Sequence, residues 1–569
     1  MKFTGKILFN ETIQIENVSI PIKKTEIFSK ILENDIVEYE INNEENVVVI
    51  TKIIKRKAIM TLAYIRSFSL DEKKVYFKLP LYNDTFSFFY NHENLKEFSI
   101  GSLYIVNVNF LGLDIIEYIG NIKNLLTIKK GIEKILNNTN GYLLNMYKNN
   151  LPIQDENIER EYIDLTHLDT FNIDPEGAKD IDDAVSIDVL NNKIYVHIVD
   201  IHNQIGIGSS EDLKFLNQSL SLYLADKTYH CINKEISCDL LSLRKDTERK
   251  TITFEYTYNP YTLEIVESKI IFAKIINKNS YSYDEYDQKL NDSNNIDPII
   301  IFIRSFTDKW KLRSFSIPII KFHIDKGYIK SISKTCSNTM SHKFIETLMI
   351  LSNYTYSNHI KNICDYFPKR NHPKTINTND MQVQYTGIDD IDNFINIKRY
   401  KKLYYSIKDI GHFGIDLEYY AHFTSPIRRY IDLINHRIFN GCVYDKHLLN
   451  EILNHVSEQE KMLGRMYDWY FSVILHKYLK ISKDKIFIAY VTNINKNGIN
   501  FLIPDLMFEN YIHVSKINKE KKSKWLLVKK DEESYCMSDQ YDNKINIGDK
   551  ISVRIDNITL FQITFSICL

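Results

Sequence analysis

The sequence has few cysteines, no long hydrophobic run and no excess of one charge, and each shortage excludes a class of protein. Its seven cysteines are scattered and contain no C-x-x-C pair, so neither a disulfide framework nor a zinc site is predicted, and a reducing compartment is favoured. No apolar stretch approaches the roughly 18 residues that a membrane-spanning helix needs. The N-terminus lacks the apolar run of a secretory signal. We therefore expect a cytoplasmic protein with no membrane partner.

Opposite charges are almost balanced, which limits how the protein can bind a nucleic acid. The chain carries 72 Lys and Arg residues against 73 Asp and Glu residues, a formal net charge of -1. Without a global basic field, any nucleic-acid site must be a local groove rather than a surface that coats duplexes. The 569 residues are too many for one core, and they predict a globular protein of three or four domains.

The most informative segment is D-P-E-G-A-K-D-I-D-D, residues 174–183, which is flanked by apolar runs. It contains the four carboxylates of Asp174, Asp180, Asp182 and Asp183. Two like charges about 4 Å apart repel by roughly 4 kcal/mol at a protein-like dielectric, so a fold that packs them together needs a cation between them. Oxygen-only ligands suit Mg²⁺ or Mn²⁺, metals that commonly serve phosphate chemistry.

Two other interpretations of this acidic segment compete with a metal site. A solvated acidic loop fits the segment equally well when the segment is taken alone. A calcium-binding EF-hand loop does not fit, because its sixth position requires Gly and its twelfth requires Glu. Counted from Asp174, these positions are Lys179 and Val185, so the calcium loop is excluded.

A second motif, T-S-P-I-R-R-Y at Thr424–Tyr430, predicts the start of a helix. Pro426 suits the first helical position, and a preceding hydroxyl side chain suits the cap. The free N–H groups at such a helix start favour an anion. Arg428 and Arg429 would lie in the first turns, where a guanidinium can hold two phosphate oxygens at once. A capped helix with two surface arginines is the alternative.

The pattern of apolar residues changes twice along the chain. Residues 1–130 consist of short strand-like runs and fit two small β-barrels in tandem. Residues 160–475 are mixed, and their clearest helical periodicity predicts a helix at His342–Asn358. Residues 482–569 return to short strands, and the hairpin signal N-K-N-G at Asn495–Gly498 favours a five-stranded barrel.

Taken together, these motifs resemble the RNB-domain family of 3′→5′ exoribonucleases, the group of ribonuclease II, ribonuclease R and Dis3. Three long motifs carry the resemblance: I-D-P-E-G-A-K-D-I-D-D-A-V (Ile173–Val185), V-H-I-V-D (Val196–Asp200) and Y-A-H-F-T-S-P-I-R-R-Y-I-D-L-I-N-H-R (Tyr420–Arg437). Weaker matches lie at Leu222–Leu243, Ser280–Glu285 and Phe344–Asn353.

The resemblance implies an α+β multidomain architecture. It implies cold-shock-type OB barrels at residues 1–60 and 61–140, a mixed α/β RNB catalytic domain at 160–480, and a C-terminal OB-fold RNA-binding barrel at 482–569. The exosome-associated form of the family is not favoured, because no PIN-like nuclease segment precedes the first barrel.

The resemblance also implies roles for individual residues. The four aspartates Asp174, Asp180, Asp182 and Asp183 are expected to hold one or two Mg²⁺ ions, with Mn²⁺ as an alternative, and Asp182 is expected to be a direct ligand. The expected catalytic residues are Asp182, Asp183, Arg428 and Tyr283. The expected RNA contacts are Tyr223, Phe322, Arg428, Arg429 and Glu346.

Several of these residues keep a purely structural alternative. Core packing is the alternative for the aromatic rings of Tyr223 and Phe322, and a buried salt bridge is the alternative for Glu346. The imidazoles of three further residues are expected to pack rather than to react, because the implied chemistry needs no histidine. These three are His412, His422 and His436.

The chain departs from the family pattern in two places. The family has Pro-Gly and Met-Leu-Pro where this chain has Ala225-Asp226 and Cys231-Ile232-Asn233, in the loop that shapes the channel for the RNA 3′ end. The C-terminal segment also carries a basic insertion at Lys516–Lys530. We expect a solvated loop there, with a loop that tracks phosphates as the alternative.

The function implied by the resemblance is processive, Mg²⁺-dependent hydrolysis of single-stranded RNA from its 3′ end to 5′-monophosphates. The expected enzyme is a monomer that can join an RNA-degradation complex. A catalytically inactive RNA-binding regulator on the same fold is the first alternative. An unrelated metal-dependent DNase or phosphodiesterase is the second.

Overall fold

In the computed structural model, the chain is an α+β protein with several separate sheets, as the sequence predicted. The structure describes residues 2–9, 13–16, 18, 20–23, 31–32, 35–42, 45–55, 58–69, 71, 73–82, 87–91, 95–109, 113–138, 140–153, 160–202, 204–292, 294–310, 317–325, 328–335, 339–374, 385–481, 485–495, 497–521, 525–529, 535–539, 541, 543–559 and 563–568.

Strands and helices alternate irregularly along the chain. The strands are β1 (Lys2–Phe9), β2 (Ile13–Ile15), β3 (Ile36–Asn42), β4 (Val47–Lys55), β5 (Ile59–Ser69), β6 (Lys74–Lys78), β7 (Ser87–Asn91), β8 (Ser102–Val108), β9 (Leu113–Asn121), β10 (Ile163–Asp164), β11 (Thr170–Asp174), β12 (Asp183–Asp188), β13 (Lys193–Val199), β14 (Leu222–Tyr223), β15 (Thr228–Tyr229), β16 (Glu248–Tyr258), β17 (Ile265–Ser282), β18 (Ile319–Asp325), β19 (Tyr328–Thr335), β20 (Lys369–Asn371), β21 (Tyr404–Ser406), β22 (Ile486–Asn495), β23 (Gly498–Ile503), β24 (Phe508–His513), β25 (Leu526–Lys529), β26 (Tyr535–Ser538), β27 (Lys544–Ile545), β28 (Lys550–Ile558) and β29 (Ile563–Cys568). The helices are α1 (Leu125–Leu136), α2 (Gly141–Asn149), α3 (Ser210–Gln218), α4 (Tyr283–Asn291), α5 (Pro298–Lys309), α6 (Met340–Ile360), α7 (Asp389–Ile397), α8 (Tyr430–Phe439), α9 (Lys446–Ile481) and α10 (Val514–Lys521).

The chain divides into two compact units. One unit comprises Met1–Thr139, Lys461–Ile481 and Ile558–Ile563, and the other comprises Asn140–Glu460, Ser482–Asn557 and Thr564–Leu569.

The first unit contains two antiparallel sheets. Their strand orders are β2-β1-β3-β4 and β7-β6-β5-β8-β9. Alternate residues of β3 are buried, in the pattern typical of a strand with one face on a core. Residues from both sheets, such as Val37 and Phe77, belong to one apolar core. Predicted strands in this region therefore form, and the cold-shock identity of the two sheets stays a prediction.

The second unit is built on a six-stranded sheet of order β10-β17-β11-β12-β13-β16. Strand β16 also pairs with β17, which closes the strands from β17 round to β16 into a ring. Strand β13 is buried at six consecutive positions, Ile194–Val199, which is typical of a strand covered on both faces. Helices α6 and α8 contribute residues to the same apolar core, so they pack against this sheet.

Helix α6 confirms the predicted helix at His342–Asn358 and extends it at both ends. Hairpin pairing of Asn495 with Gly498 confirms the predicted turn, and Lys496 lies outside the described residues. This turn belongs to a five-stranded sheet of order β24-β23-β22-β28-β29. Its identity as an OB barrel stays a prediction.

The predicted loop in the basic run Lys516–Lys530 is wrong for the part that is described. Helix α10 covers its first residues and strand β25 its last ones, because Ile517 and Trp525 are apolar anchors that become buried. Lys516 forms an ion pair with Asp556. Across the described ranges, no helix combines the length and the apolarity that crossing a membrane requires.

Candidate active site

The connection between β11 and β12 carries the four carboxylates at one end of the closed sheet. Asp174 is the last residue of β11 and Asp183 is the first residue of β12. The connecting turn contains Gly177, whose φ of +80° is a conformation that glycine adopts without strain. The sequence therefore brings acidic side chains to the point where two strands leave the sheet.

A chain of amides orients Asp174. Asn172 Nδ2 donates to Asp174 Oδ2 at 2.7 Å, and Asn277 Nδ2 donates to Asn172 Oδ1 at 2.8 Å. Asn172 and Asn277 are both buried, and they lie on the neighbouring parallel strands β11 and β17. The carboxylate of Asp174 is thus held by a second layer of side chains, as ligand carboxylates usually are.

Asp182 is bonded directly to the arginine motif, 245 residues away in the sequence. The backbone N–H of Ile427 donates to Asp182 Oδ1 at 2.8 Å, and Arg428 Nε donates to Asp182 Oδ2 at 3.0 Å. Arg428 Nη2 also donates to Ser425 Oγ at 2.8 Å. Asp182 is only 3% exposed. Both of its oxygens therefore accept a hydrogen bond, and one effect of the carboxylate is to orient the guanidinium.

The predicted helix start at Pro426 is wrong. Helix α8 begins at Tyr430, and residues 424–429 form a turn before it. The backbone of this turn is used in tertiary contacts: Tyr430 N donates to Ser219 O, and Ser221 N donates to Arg428 O. Because the carbonyl of Arg428 is bonded to Ser221 and the extended Arg429 forms a bridge with Leu220, the helix does not begin before Tyr430.

Asp432 lies in the first helical turn of α8 and holds residues 424–429 in place. Its Oδ1 accepts from the backbone N–H of Ser425 at 2.8 Å and from Arg429 Nη2 at 2.8 Å. Asp432 is fully buried. Of the two predicted phosphate contacts, Arg429 is therefore engaged in an internal ion pair, whereas Arg428 lies at the carboxylate cluster.

The electrostatics of the carboxylates favour a bound cation. Burial raises the pKa of Asp182 to about 7, and the nearby Arg428 offsets this only in part. The pKa of Asp183 is raised well above its usual range, most by burial and further by the charges of Asp174 and Asp182. Burial also raises the pKa of Asp174, against the hydrogen bond from Asn172. These carboxylates are costly to ionise together unless positive charge is added.

Tyr283 lies close to two of the aspartates. It is the first residue of α4, whose cap is a reciprocal pair of hydrogen bonds between Ser282 and Glu285. The pKa of the Tyr283 phenol is raised, most by burial and further by the charges of Asp183 and Asp174. Its ring stacks on that of His342 with 3.7 Å between the ring centroids. The structure thus keeps the phenol protonated, as a hydrogen-bond donor.

Three other predicted RNA contacts have different surroundings. Tyr223 is 41% exposed, and its hydroxyl donates to Asp180 Oδ2 at 2.5 Å. Phe322 is buried in the hairpin of β18 and β19, which agrees with its packing alternative. Glu346 is exposed, which disagrees with the burial that its structural alternative requires. The RNA-binding roles of these residues stay predictions.

Comparison with known sequences identifies the domain that contains this geometry. The family model described as RNB domain matches residues 162–445, which include the four aspartates, Tyr283 and Arg428. The chain belongs to the RNB-domain family. It is 25% identical over 443 residues to ribonuclease R of Chlamydia pneumoniae, covering 70% of this chain and 64% of that protein. The chain thus spans less than two thirds of the length of this relative.

Solved structures share the fold of this RNB-domain chain. One is Mycoplasma genitalium RNase R in complex with ribose-methylated single-stranded RNA, with a TM-score of 0.76, 18% identity and full coverage of both chains. Another is yeast Ssd1, described as a pseudonuclease, with a TM-score of 0.71 and 14% identity, covering 98% of this chain and 82% of that one. At these identities, the likeness shows the fold.

The donors of the RNB site fit Mg²⁺. Carboxylate oxygens are the ligands that Mg²⁺ prefers, and it is usually held by one or two carboxylates together with waters and substrate phosphates. Asp174 and Asp183 are the candidates for such ligands, since both are partly buried and their charges interact. Within the described part of the chain, no three of the four aspartates bring their oxygens within 4.8 Å of one another.

Two residues next to Asp180 were not predicted from the sequence. His230 Nδ1 lies 3.7 Å from Asp180 Oδ2, and His230 Nε2 lies 3.7 Å from Cys238 Sγ. The signal for them was the departure from the family pattern in the same loop. The predicted packing role of three other histidines agrees with their contacts: His436 Nε2 donates to Phe423 O, His422 contacts the hydroxyl of Tyr405, and His412 is buried.

Proposed function

We propose that this chain is a Mg²⁺-dependent 3′→5′ exoribonuclease that hydrolyses single-stranded RNA processively to 5′-monophosphates. The observation that carries this proposal is the bonded pair of Asp182 and Arg428 beside Asp174 and Asp183 in an RNB domain. It joins a phosphate-binding cation to a set of metal-binding carboxylates. Relatives named ribonuclease R and a related structure in complex with single-stranded RNA support the same reading.

The residues of the chain divide the work in the proposed reaction. Asp174 and Asp183 would hold Mg²⁺, which when bound supplies a Lewis acid for water activation and for the leaving oxygen. Arg428, oriented by Asp182 and Ser425, would bind a non-bridging oxygen of the reacting phosphate. Tyr283 would donate its phenolic hydrogen to another phosphate oxygen, since its pKa is raised.

The sheets that lie outside the proposed catalytic domain would also bind the RNA strand. We propose that the two sheets of the first unit are cold-shock-type barrels at residues 1–60 and 61–140. The sheets at 482–569 would form an OB-fold RNA-binding domain, and the catalytic domain would span 160–480. OB folds bind single strands through stacking and backbone contacts, which tolerate any sequence. A monomer in the cytoplasm is the form we propose for this enzyme.

The decisive experiment is a digestion of 3′- and 5′-labelled single-stranded RNA with Mg²⁺. Wild type is expected to release mononucleotides from the 3′ end. Asp182→Asn is expected to lower the rate about 100-fold or more. The substitution weakens the contact that orients the guanidinium of Arg428, the donor that would stabilise charge on the phosphate. Asp188→Asn is the matched control, since Asp188 lies at the far end of strand β12 and its carboxylate accepts hydrogen bonds from Asn191 in the turn that follows.

The enzyme proposal fails if wild type releases no mononucleotides, or if Asp182→Asn is as active as wild type. An equal rate on DNA would instead favour a nuclease without a check for the 2′-hydroxyl.

A catalytically inactive RNA-binding regulator is the second candidate function. The similarity of the fold to yeast Ssd1, a pseudonuclease, favours it. Four aspartates and the bonded Arg428 argue against it, because a regulator has no need of them. Binding and turnover measured with and without EDTA separate the two functions. An enzyme loses turnover in EDTA and keeps RNA binding, whereas a regulator binds RNA without turnover in either condition.

A further inference from the structure

A second group of potential metal ligands lies at the edge of the carboxylate cluster. It consists of Asp180, His230 and Cys238, each of which offers a ligand atom within 4.8 Å of the other two. Within the described part of the chain, it is the one group of three such side chains that close together. It mixes an oxygen, a nitrogen and a sulfur donor, whereas the neighbouring site offers oxygens alone.

Local structure explains why these three residues meet. The short hairpin of β14 and β15 brings Tyr223 alongside the residues before His230. Cys238 lies in a single π-helical turn, Ile236–Leu240, and such turns are rare and frequent at functional sites. The hydroxyl of Tyr223 donates to Asp180 Oδ2 and orients that carboxylate toward the group.

One imidazole nitrogen of His230 lacks a hydrogen bond to any residue that the structure describes. Its Nδ1 is buried and has no hydrogen-bond partner among the residues that the structure describes. It lies 3.7 Å from Asp180 Oδ2, beyond the range of a hydrogen bond. On the other side, Nε2 lies 3.7 Å from Cys238 Sγ. A buried polar atom of this kind costs free energy unless something binds it.

The spacing and the chemistry suit zinc. Zinc binds Asp, His and Cys at about 2.0–2.3 Å in a tetrahedral arrangement, which places neighbouring ligand atoms roughly 3.3–3.8 Å apart. The 3.7 Å from His230 Nδ1 to Asp180 Oδ2 lies within this range. One ligand atom from each of the three residues lies within 4.8 Å of the other two, a spread that side-chain rotation would close. A thiolate and an imidazole together select zinc-class metals over Mg²⁺, which prefers oxygen donors.

We propose that Asp180, His230 and Cys238 form a Zn²⁺ site at the edge of the RNB active site. The fourth position would be open to water, since the chain supplies three ligands. Its consequence rests on the proposed function: Asp180 Oδ2 accepts the hydrogen bond of the Tyr223 hydroxyl, so bound Zn²⁺ takes up this oxygen, releases Tyr223 and slows RNA hydrolysis. The segment that carries His230 is also where the chain departs from the family pattern, at Cys231-Ile232-Asn233.

Metal binding is tested first, without any activity measurement. The purified full chain is stripped with EDTA, titrated with Co²⁺ as a spectroscopic substitute for Zn²⁺, and its near-ultraviolet absorption is recorded. Wild type is expected to bind one Co²⁺ with a thiolate-to-metal band, which one equivalent of Zn²⁺ removes. Cys238→Ser is expected to lose the band, and His230→Gln to weaken binding at least tenfold.

Cys364→Ser is the matched control, because Cys364 is another partly buried free cysteine, and its Sγ donates to the backbone carbonyl of Tyr366. It is expected to keep the band. Circular dichroism of each variant shows whether it is folded, and His230→Gln tests the site if Cys238→Ser is not. Absence of the band in wild type, or its persistence in folded Cys238→Ser, overturns the zinc site.

Inhibition is tested second, with RNA hydrolysis in Mg²⁺ measured relative to the zinc-free rate of each protein. Micromolar Zn²⁺ is expected to slow wild type and Cys364→Ser, and to leave His230→Gln unaffected. Equal inhibition of His230→Gln would overturn the link between this site and catalysis. If wild type hydrolyses no RNA at all, the proposed function fails while the absorption experiment still decides the zinc site.

Discussion

At the scale of single residues, the pairing of Asp182 with Arg428 changes how the four aspartates are to be understood. The family resemblance implied that Asp182 would be a direct metal ligand. In the structure, its two oxygens already accept hydrogen bonds from Ile427 and Arg428. Asp174 and Asp183 have fewer such donors, so we now expect them to contribute most to metal binding and Asp182 to position the arginine.

The hydroxyl of Tyr223 gives a prediction at this scale. The resemblance assigns the ring to base stacking, whereas the structure shows a hydrogen bond to Asp180. Tyr223→Phe removes only the hydrogen bond, which is worth about 1.5–3 kcal/mol to a charged group. It is expected to slow turnover roughly ten- to a hundred-fold while RNA affinity is retained. Tyr223→Ala should in addition weaken RNA binding, by the roughly 1–3 kcal/mol of a stacked base.

Single-turnover hydrolysis and a separate binding titration measure the two effects. Tyr261→Phe is the matched control, since Tyr261 is 93% exposed. If Tyr223→Phe turns over like wild type, the hydrogen bond to Asp180 has no part in the reaction.

At the scale of elements, the sequence was a good guide where local pattern decides the structure. Periodicity predicted α6, and the Asn-Gly signal predicted the hairpin of β22 and β23. It failed at Pro426, where local signals for a helix start are present. The backbone there is bonded to Asp182, Ser219 and Ser221 from distant parts of the chain. Tertiary contacts overrode local propensity at the point where the site is built.

The group of Asp180, His230 and Cys238 was unpredictable for a related reason. Zinc sites are commonly recognised in sequence by C-x-x-C pairs, and this chain has none. Its ligands come from the β11–β12 connection, the end of a hairpin and a π-helical turn. Only the fold brings these three elements together.

The turn before α8 gives a prediction at the scale of elements. Asp432→Ala removes the acceptor for Ser425 N and leaves Arg429 without its buried partner. Breaking a buried ion pair costs about 3–5 kcal/mol, so the thermal midpoint is expected to fall. Activity is expected to fall too, because the turn carries Arg428. Asp432→Asn should be milder, since it keeps the acceptor oxygen and loses only the charge.

Asp297→Ala is the matched control for this turn. Asp297 also accepts from a backbone N–H, at the start of α5, away from the turn. Its loss should cost about 1 kcal/mol of stability, as for other helix caps, with activity unchanged. If folded Asp432→Ala keeps the activity of wild type, as Asp297→Ala is expected to do, the turn does not position Arg428.

At the scale of the whole molecule, a chain of almost zero net charge places several buried or partly buried carboxylates together at the candidate active site. Lys and Arg nearly balance Asp and Glu over the sequence, yet burial and mutual repulsion raise the pKa of Asp182 and Asp183. A negatively charged RNA cannot approach such a site unless cations neutralise it. The stability of the molecule should therefore depend on pH and on metal together.

The sign of this dependence follows from the raised pKa of Asp182. The carboxyl titrates near pH 4 when unfolded and near pH 7 when folded. Between these values, the folded state binds more protons, so the free energy of unfolding falls as the pH rises through this window. For Asp182, the loss is roughly 4 kcal/mol. Asp183, whose pKa is also raised, adds to it.

Mg²⁺ should reverse this loss, because it binds the ionised carboxylates of the folded state. In EDTA, the thermal midpoint is expected to fall between about pH 5 and about pH 8, and excess Mg²⁺ should remove most of that fall. Scanning calorimetry at both pH values, with EDTA or Mg²⁺, measures this. Other groups titrate in the same range, so Asp182→Asn provides the comparison. Because the variant lacks this carboxyl, its thermal midpoint in EDTA should rise relative to that of wild type when the pH is raised. If the difference between the two midpoints is the same at both pH values, Asp182 is not the group responsible.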